Sequence, residues 1–257
     1  MEGPYGKSKR QKDMKGVILA GGTGSRLHPL TKVTNKHLLP VFNKPMIYYP
    51  LEILQSLGIT SILIISGRDH AEHFIKLFGS GKEYGVKLQY AVQDEAGGIA
   101  QALGLAEDFA GESPLAVILG DNIFEGCDEQ LRKAAEEFRA GNSDIKLFFK
   151  ERDDAHRFGV ATIEDGKLIK IVEKPKNPET KLAQVGFYLC KPIIFDHIKT
   201  LKPSARGELE MTDLNNIFVE KGTAGYEILE GEWFDTGTLE SLHHAHLYFS
   251  KKHFRET

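Results

Sequence analysis

Residues Gly16-Val-Ile-Leu-Ala-Gly-Gly-Thr-Gly-Ser-Arg-Leu-His-Pro29 decide how the rest of the chain is read. Val17 to Ala20 is a short apolar run closed by glycine, which predicts a buried strand. Gly21, Gly22 and Gly24 follow, with Thr23 and Ser25 between them and Arg26 at the end. Glycine lets backbone N–H groups come close to a ligand and adopt positive φ. Successive N–H groups in such a turn form a concavity that binds anions. Arg26 adds a planar cationic fork that matches phosphate oxygens. The implied ligand is a polyphosphate over the end of a strand. Read alone, the same residues also fit a plain glycine turn between strand and helix.

Spacing excludes two better-known phosphate loops. A P-loop needs Gly-Lys-Ser/Thr after its glycines, and none follows here. A dinucleotide fingerprint runs directly into a helix. Here Gly22-Thr-Gly24 leads to Ser-Arg-Leu, and Pro29 disfavours helix at His28.

Outward from this stretch, strands and helices alternate. Pro45 to Leu57 reads as a helix with Pro45 in its first turn and Pro50 as a possible bend. Ile62–Ile65, Lys87–Val92, Leu115–Leu119 and Ile145–Lys150 read as strands. His70–Phe78, Ile99–Phe109 and Cys127–Ala140 read as helices between them. This alternation predicts a mostly parallel sheet covered on both faces. Ligands then lie at the carboxyl ends of strands, where Gly21–Arg26, Ser66–Asp69, Gln93–Gly98 and Gly120–Asn122 fall. In the second half, Val160–Ile163 and Leu168–Val172 form a hairpin, Val185–Cys190 and Tyr226–Leu229 strands, and Pro192–Thr200 a helix. Gly207–Asp213 leads into a helix ending near Lys221. Trp233–Gly237 reads as a turn before a closing helix, Thr238–Phe249.

The composition is that of an ordinary globular protein, 41% hydrophobic and 27% charged over 257 residues. A net charge of −3 gives no electrostatic case for nucleic acid or an anionic membrane. No apolar run is long enough to span a bilayer. Cys127 and Cys190 have neither metal nor redox spacing and read as reduced thiols of a cytoplasmic protein. Residues 1–13 are polar and without periodicity, and read as a disordered extension or expression remnant. One folded domain, 14–257, follows, its second half forming a substrate-facing lobe.

Asp121 directly follows a buried run, where a magnesium ligand facing the phosphate loop would stand. It could equally cap its own turn. Asp235, between Trp233, Phe234 and Gly237, is the second candidate carboxylate, or else it fixes the turn before the last helix. Lys36 and Lys174 lie outside any amphipathic pattern, although most lysines are solvated surface groups. Glu173 can accept hydrogen bonds from a polyol, and the Gln93 amide can pair with a base edge. His243, His244 and His246 share the last helix without a third-ligand pattern and read as ordinary packed or exposed side chains.

Taken together, these motifs resemble the sugar-1-phosphate nucleotidylyltransferases, and among them the thymidylyltransferase branch. The matching stretches are Leu19–Leu27, Lys36–Pro40, Lys44–Ile47, Val92-Gln93 with Gly98–Ala102, and Leu119–Asn122. They continue with Glu173–Pro175, Ser204–Glu210, Thr212-Asp213, and Trp233 with Asp235–Thr238. The resemblance implies a Rossmann-like three-layer αβα sandwich with a mostly parallel, mixed central sheet and a sugar-binding lobe in the second half. It implies Mg2+-dependent, in-line transfer of a thymidylyl group from dTTP to glucose 1-phosphate, as the first step toward dTDP-rhamnose or another deoxysugar. Gly21, Gly22, Thr23, Gly24, Ser25 and Arg26 would hold the triphosphate, Arg26 also stabilising the transition state. Lys36 would contact the phosphates, and Gln93 and Gly98 the thymine. Asp121 and Asp235 would hold magnesium. Lys174 would grip the sugar phosphate, and Gly159, Glu173 and Gly186 would line the hexose site. Family members are homotetramers or homodimers.

Two loops depart from the family pattern. Gln93-Asp-Glu-Ala-Gly-Gly98 stands where Gln-Pro and an aspartate are common, and Gln184-Val-Gly186 where Thr-Gly is common. They leave room for UTP or another nucleotide, for another hexose phosphate, or for a catalytically inactive nucleotide-sugar-binding regulator. Longer members add helices that help form a regulatory site, so the resemblance implies that this feedback site is absent or altered here.

Overall fold

The structure is a computed structural model that describes residues 13–256, so the expectation for the N-terminal segment lies almost wholly outside the described residues. The first half runs β1 (Lys15–Ala20), β2 (Pro40–Val41), β3 (Lys44–Pro45), α1 (Tyr48–Ser56), β4 (Ser61–Gly67), α2 (Ala71–Phe78) and β5 (Lys87–Gln93). It continues with α3 (Ile99–Gly104), α4 (Glu107–Ala110), β6 (Leu115–Leu119), β7 (Asn122–Glu125), α5 (Asp128–Ala140) and β8 (Ile145–Glu151). The second half adds β9 (Gly159–Glu164), β10 (Lys167–Glu173), β11 (Leu182–Cys190), α6 (Ile194–Ile198) and α7 (Met211–Glu220). It ends with β12 (Ala224–Ile228), β13 (Glu232–Asp235) and α8 (Leu239–Glu256).

The central sheet is mixed, as expected. β5, β4, β1 and β6 lie parallel in that order, and β11 joins β6 antiparallel. β8 runs antiparallel to β11, and β12 parallel to β8. The β9–β10 hairpin attaches to the start of β11 through Ala183 and Val160. β1 shows why the sheet is buried on both faces. Ile18 and Ala20 pack into one core with Leu54, Phe74 and Phe138, under α1, α2 and α5. Val17 and Leu19, pointing the other way, pack with Leu103, Phe195 and Phe218, under α3, α6 and α7. The period-two alternation of a strand thus feeds two apolar layers. A third cluster seats α8: Leu242 and Ala245 meet Phe234, Met46 and Leu27.

Several elements differ from the sequence reading. The first helix starts at Tyr48 and not at Pro45, because Pro45 pairs with Pro40 in a two-strand ribbon. Pro50 falls in the first turn, where no intrahelical N–H is required, so it imposes no bend. The expected helix 99–109 is broken into α3 and α4 at Leu105–Ala106. Trp233 to Asp235, expected as a turn, is strand, paired antiparallel with β7. α8 runs past Phe249 to Glu256. No helix among the described residues is long and apolar enough to cross a membrane.

Candidate active site

The carboxyl ends of β1, β5 and β6 open into a cleft of about 590 Å³ that also borders β10, β11 and β13. It gathers Gly21, Gly22, Arg26, Lys36, Gln93, Gly98, Asp121, Gly159, Glu173, Lys174, Gly186 and Asp235. Thr23, Gly24 and Ser25 belong to the same loop but do not line the cleft.

The loop after β1 is shaped by its glycines. Gly22 and Gly24 have φ of 90° and 63°, the left-handed region where side chains are strained. Gly24 is also crowded, since a Cβ there would lie 3.1 Å from Thr31 Cγ2. The Thr31 hydroxyl donates to the Gly24 carbonyl at 2.7 Å. Ser25–Leu27 form one 3-10 turn, which buries Leu27 and leaves the Arg26 side chain exposed toward the cleft. His28 is extended, with ψ of 142°, as expected before proline.

Lys36 is placed by its two chain neighbours, Asn35 and His37, neither of them a predicted site residue. Buried Asn35 donates from Nδ2 to the Ala20 carbonyl at 3.3 Å and accepts from the His37 backbone N–H at 2.8 Å. The end of β1 is thereby tied to the lysine segment. His37 lies against Gly120, where a Cβ would meet its ring at 2.7 Å. Burial, then the neighbouring Lys36, lower the His37 pKa to about 3, so the ring is neutral. Lys36 Nζ meets Asp121 Oδ2 at 2.5 Å. Burial alone would raise the Asp121 carboxyl. The charge of Lys36 and hydrogen bonds from Lys36 and Asn122 outweigh it and hold Asp121 ionised far below the usual carboxylate range.

Asp235 joins Asp121 through the β7–β13 pairing, which sets Asp235 opposite Asn122. Buried Thr236 locks the junction, donating to the Asp121 carbonyl from its hydroxyl (2.8 Å) and its N–H (2.9 Å). A Cβ on Gly237 would lie 3.0 Å from Asp235 Oδ1 and 3.5 Å from Asp121 Oδ2, so both carboxylates reach one neighbourhood. Burial, and next the charge of Asp121, raise the Asp235 carboxyl. Lys36 answers the buried Asp121, and the half-buried Asp235 beside it calls for a further counter-charge. Magnesium suits them, because it takes one or two carboxylates and completes its shell with water and phosphate oxygens. Among the described residues, no group of three or more His, Cys, Asp or Glu forms a full protein cage.

At the other end of the cleft, Glu173 sits opposite Gly159 in the β9–β10 hairpin. Glu173 Oε2 accepts from the Thr212 hydroxyl at 2.5 Å. Its Oε1 accepts from Arg206 at 3.0 Å and lies 3.3 Å from Lys174 Nζ. Arg206 is braced by Glu210, at 3.1 and 2.8 Å. Lys174 is exposed and holds a φ of 42°, unusual for a side-chain-bearing residue. A Cβ on Gly186 would meet Leu119 at 2.6 Å and Asn122 Oδ1 at 2.7 Å, so only glycine fits there. Asn122 Oδ1 accepts from the Gly186 N–H (2.9 Å) and the Trp233 indole (2.6 Å), joining the two ends of the cleft. Asn122 follows the predicted Asp121 directly, whereas Thr212 and Arg206 stand far along the chain from Glu173 and only the fold brings them to it.

Gln93 is buried, and its Nε2 donates to Gln101 Oε1 at 2.7 Å and the Gly98 carbonyl at 3.3 Å. Gly98 has φ of 99°, and a Cβ there would strike the Leu209 carbonyl at 2.6 Å. The histidines of α8 lie elsewhere: His246 Nδ1 accepts from the Phe42 N–H at 3.1 Å, and His244 packs on Phe234. Burial pushes the Cys127 thiol up to about 11 and that of Cys190 higher still, which leaves both unreactive.

Residues 15–252 match the nucleotidyl transferase family. The glucose-1-phosphate thymidylyltransferase of Neisseria gonorrhoeae is 44% identical over 90% of this chain and 81% of its own length. That of Xanthomonas campestris is 45% identical over 90% and 79%. A proposed glucose-1-phosphate thymidylyltransferase of Bacillus anthracis, solved with sucrose, superposes with a TM-score of 0.87 at 51% identity, covering 92% of this chain and 95% of that one. A UDP-glucose pyrophosphorylase solved with UDP-glucose shares the fold, with a TM-score of 0.79 at 24% identity over 93% and 99%. With that family match over nearly the whole chain and relatives of this identity and coverage, the chain belongs to the nucleotidyl transferase family.

Proposed function

We propose that this chain transfers a thymidylyl group from dTTP to α-D-glucose 1-phosphate, releasing pyrophosphate and forming dTDP-glucose, an entry point to dTDP-rhamnose and other deoxysugars. The observation that carries this reading is the meeting in one cleft of a glycine loop with Arg26, an acid pair beside Lys36, and a Glu173–Lys174 corner. A phosphate oxygen of glucose 1-phosphate attacks the α-phosphorus of dTTP. The bond to the bridging oxygen breaks on the opposite side, and pyrophosphate leaves with its electron pair. No covalent enzyme intermediate is needed, because positioning and charge neutralisation supply the rate.

Each group follows from its place. Backbone N–H groups of the glycine loop, from Gly21 and Gly22 at the cleft wall, cradle the triphosphate, and Arg26 meets charge that develops on the α-phosphoryl oxygens. Lys36, fixed by Asp121, faces the same phosphates. A magnesium ion held by Asp121 and Asp235 would supply positive charge to the phosphate oxygens. Gln93 and Gly98 shape the base pocket. Lys174 binds the sugar phosphate, while Glu173, Gly159 and Gly186 define the hexose floor.

Pyrophosphate release with glucose 1-phosphate and magnesium, measured separately with dTTP, UTP, CTP, GTP and ATP, tests the reading. The expected result is a preference for dTTP. Preference for another nucleotide reassigns the base pocket around Gln93, and no release with any of the five overturns the proposal.

A further inference from the structure

The hexose end of the cleft also holds the buried carboxamide of Gln184. Gln184 lies on β11, the strand that also carries Gly186 and Tyr188, and alternation turns all three to the same face of the sheet. All three line the cleft. Gln184 is only 8% exposed, and its Nε2 has no hydrogen-bond partner. A buried amide donor without a partner costs stability, and native proteins rarely keep one without a use. Its surroundings say what the use is. Around the Cβ position of Gly159, Gln184 Oε1 lies at 3.0 Å and Thr212 Oγ1 at 3.3 Å. Thr212 Oγ1 in turn donates to Glu173 Oε2. The Gln184 carboxamide is therefore grouped with Glu173, across a glycine that leaves space between them.

The two groups are chemically complementary. An ionised carboxylate only accepts hydrogen bonds, whereas a carboxamide has two N–H donors and a carbonyl acceptor. A half-turn of the amide presents either end to the cleft. A sugar hydroxyl donates one hydrogen bond and accepts others, so it can donate to Glu173 and accept from Gln184. We infer that Gln184 is a specificity-determining residue, whose amide hydrogen-bonds a ring hydroxyl of the hexose 1-phosphate and selects for that hydroxyl's presence and orientation. This rests on the reading of the cleft as a hexose 1-phosphate site. Sites built around a substrate hydroxyl discriminate strongly against analogues that lack it, because the buried partner is then left unpaired.

The test compares the wild-type protein with Gln184→Leu, which keeps the bulk but removes both ends of the amide. Steady-state pyrophosphate release is measured with dTTP and either glucose 1-phosphate or its mono-deoxy analogues, alongside thermal melting. The expected result is a KM for glucose 1-phosphate at least about tenfold higher, a KM for dTTP within about twofold of wild type, and a melting temperature that does not fall. One deoxy analogue should be poor for the wild type yet equal to glucose 1-phosphate for the variant, which identifies the hydroxyl. Unchanged KM and unchanged discrimination among the analogues would overturn the assignment while leaving the transferase reading intact. If the Leu variant misfolds, Gln184→Met carries the same comparison. A wild-type protein that uses no hexose 1-phosphate fails the transferase reading itself, and the assignment falls with it.

Discussion

The two ends of the cleft are built by different means. The glycine-loop end starts from local backbone, a strand, three glycines and one 3-10 turn within Lys15–Leu27, to which the Lys36–Asp121 pair and Asp235 are added. The hexose end is side chain on side chain. Thr212 reaches Glu173 across 39 residues and Arg206 reaches it across 33. A local backbone device tolerates changes in the rest of the fold. A network of side chains depends on every element that contributes to it. One end should therefore govern chemistry and the other selectivity.

The widest separation is expected from Arg26→Ala. Removing one preorganised charge from the reacting phosphates should lower kcat about 10²- to 10³-fold. Melting should hardly move, because the Arg26 side chain is exposed. A fall smaller than tenfold in kcat would place the chemistry elsewhere.

Thr212→Val probes the other end, removing the hydroxyl that donates to Glu173. The KM for glucose 1-phosphate should rise about tenfold, the size of one hydrogen bond to a charged group, while that for dTTP stays put. Equal rises in both constants would erase the distinction between the ends. Gly21→Ala lies nearer the boundary. Its Cβ would come within 2.7 Å of Gln93 Oε1, the tip of a movable side chain. A rise of about threefold in the KM for dTTP, with kcat retained, is expected from so small a displacement.

The smallest effect concerns stability. The folded Asp235 carboxyl is raised above its ordinary value of 3.8. Such a group costs the fold stability once ionised. The cost is full above the raised value and disappears as pH falls below 3.8. In chelator at pH 7, Asp235→Asn should melt about 2–4 °C higher than wild type. That advantage should vanish in acid, and magnesium should stabilise only the wild type. A variant less stable than wild type in chelator at pH 7 would show that Asp235 is a structural acceptor first.

The same contrast explains what could be read in the chain. β1, its glycine loop, β4 and β6 announce themselves through apolar runs and local punctuation, and from them follows the parallel half of the sheet. Pro45 misled because its fixed φ suits a helix start and a ribbon equally well, and pairing with Pro40 decided between them. β13 escaped because its four residues carry no alternation of their own, and β7, far away in sequence, supplies the partner. Asn35 and His37 are invisible locally for a related reason. Their value lies in what they touch, the Ala20 carbonyl and the ring-sized gap over Gly120.

The β7–β13 pairing has a consequence in time. The Trp233–Asn122 hydrogen bond spans 111 positions, and contacts this distant form late because loop closure must come first. A ribosome delivers the glycine loop, Lys36 and Asp121 well before it delivers Asp235. Over the 114 residues from Asp121 to Asp235, a growing chain therefore carries the glycine loop with only one acid of the pair. The second acid arrives only with the strand that secures it, so the completed carboxylate pair coincides with the near-completed fold.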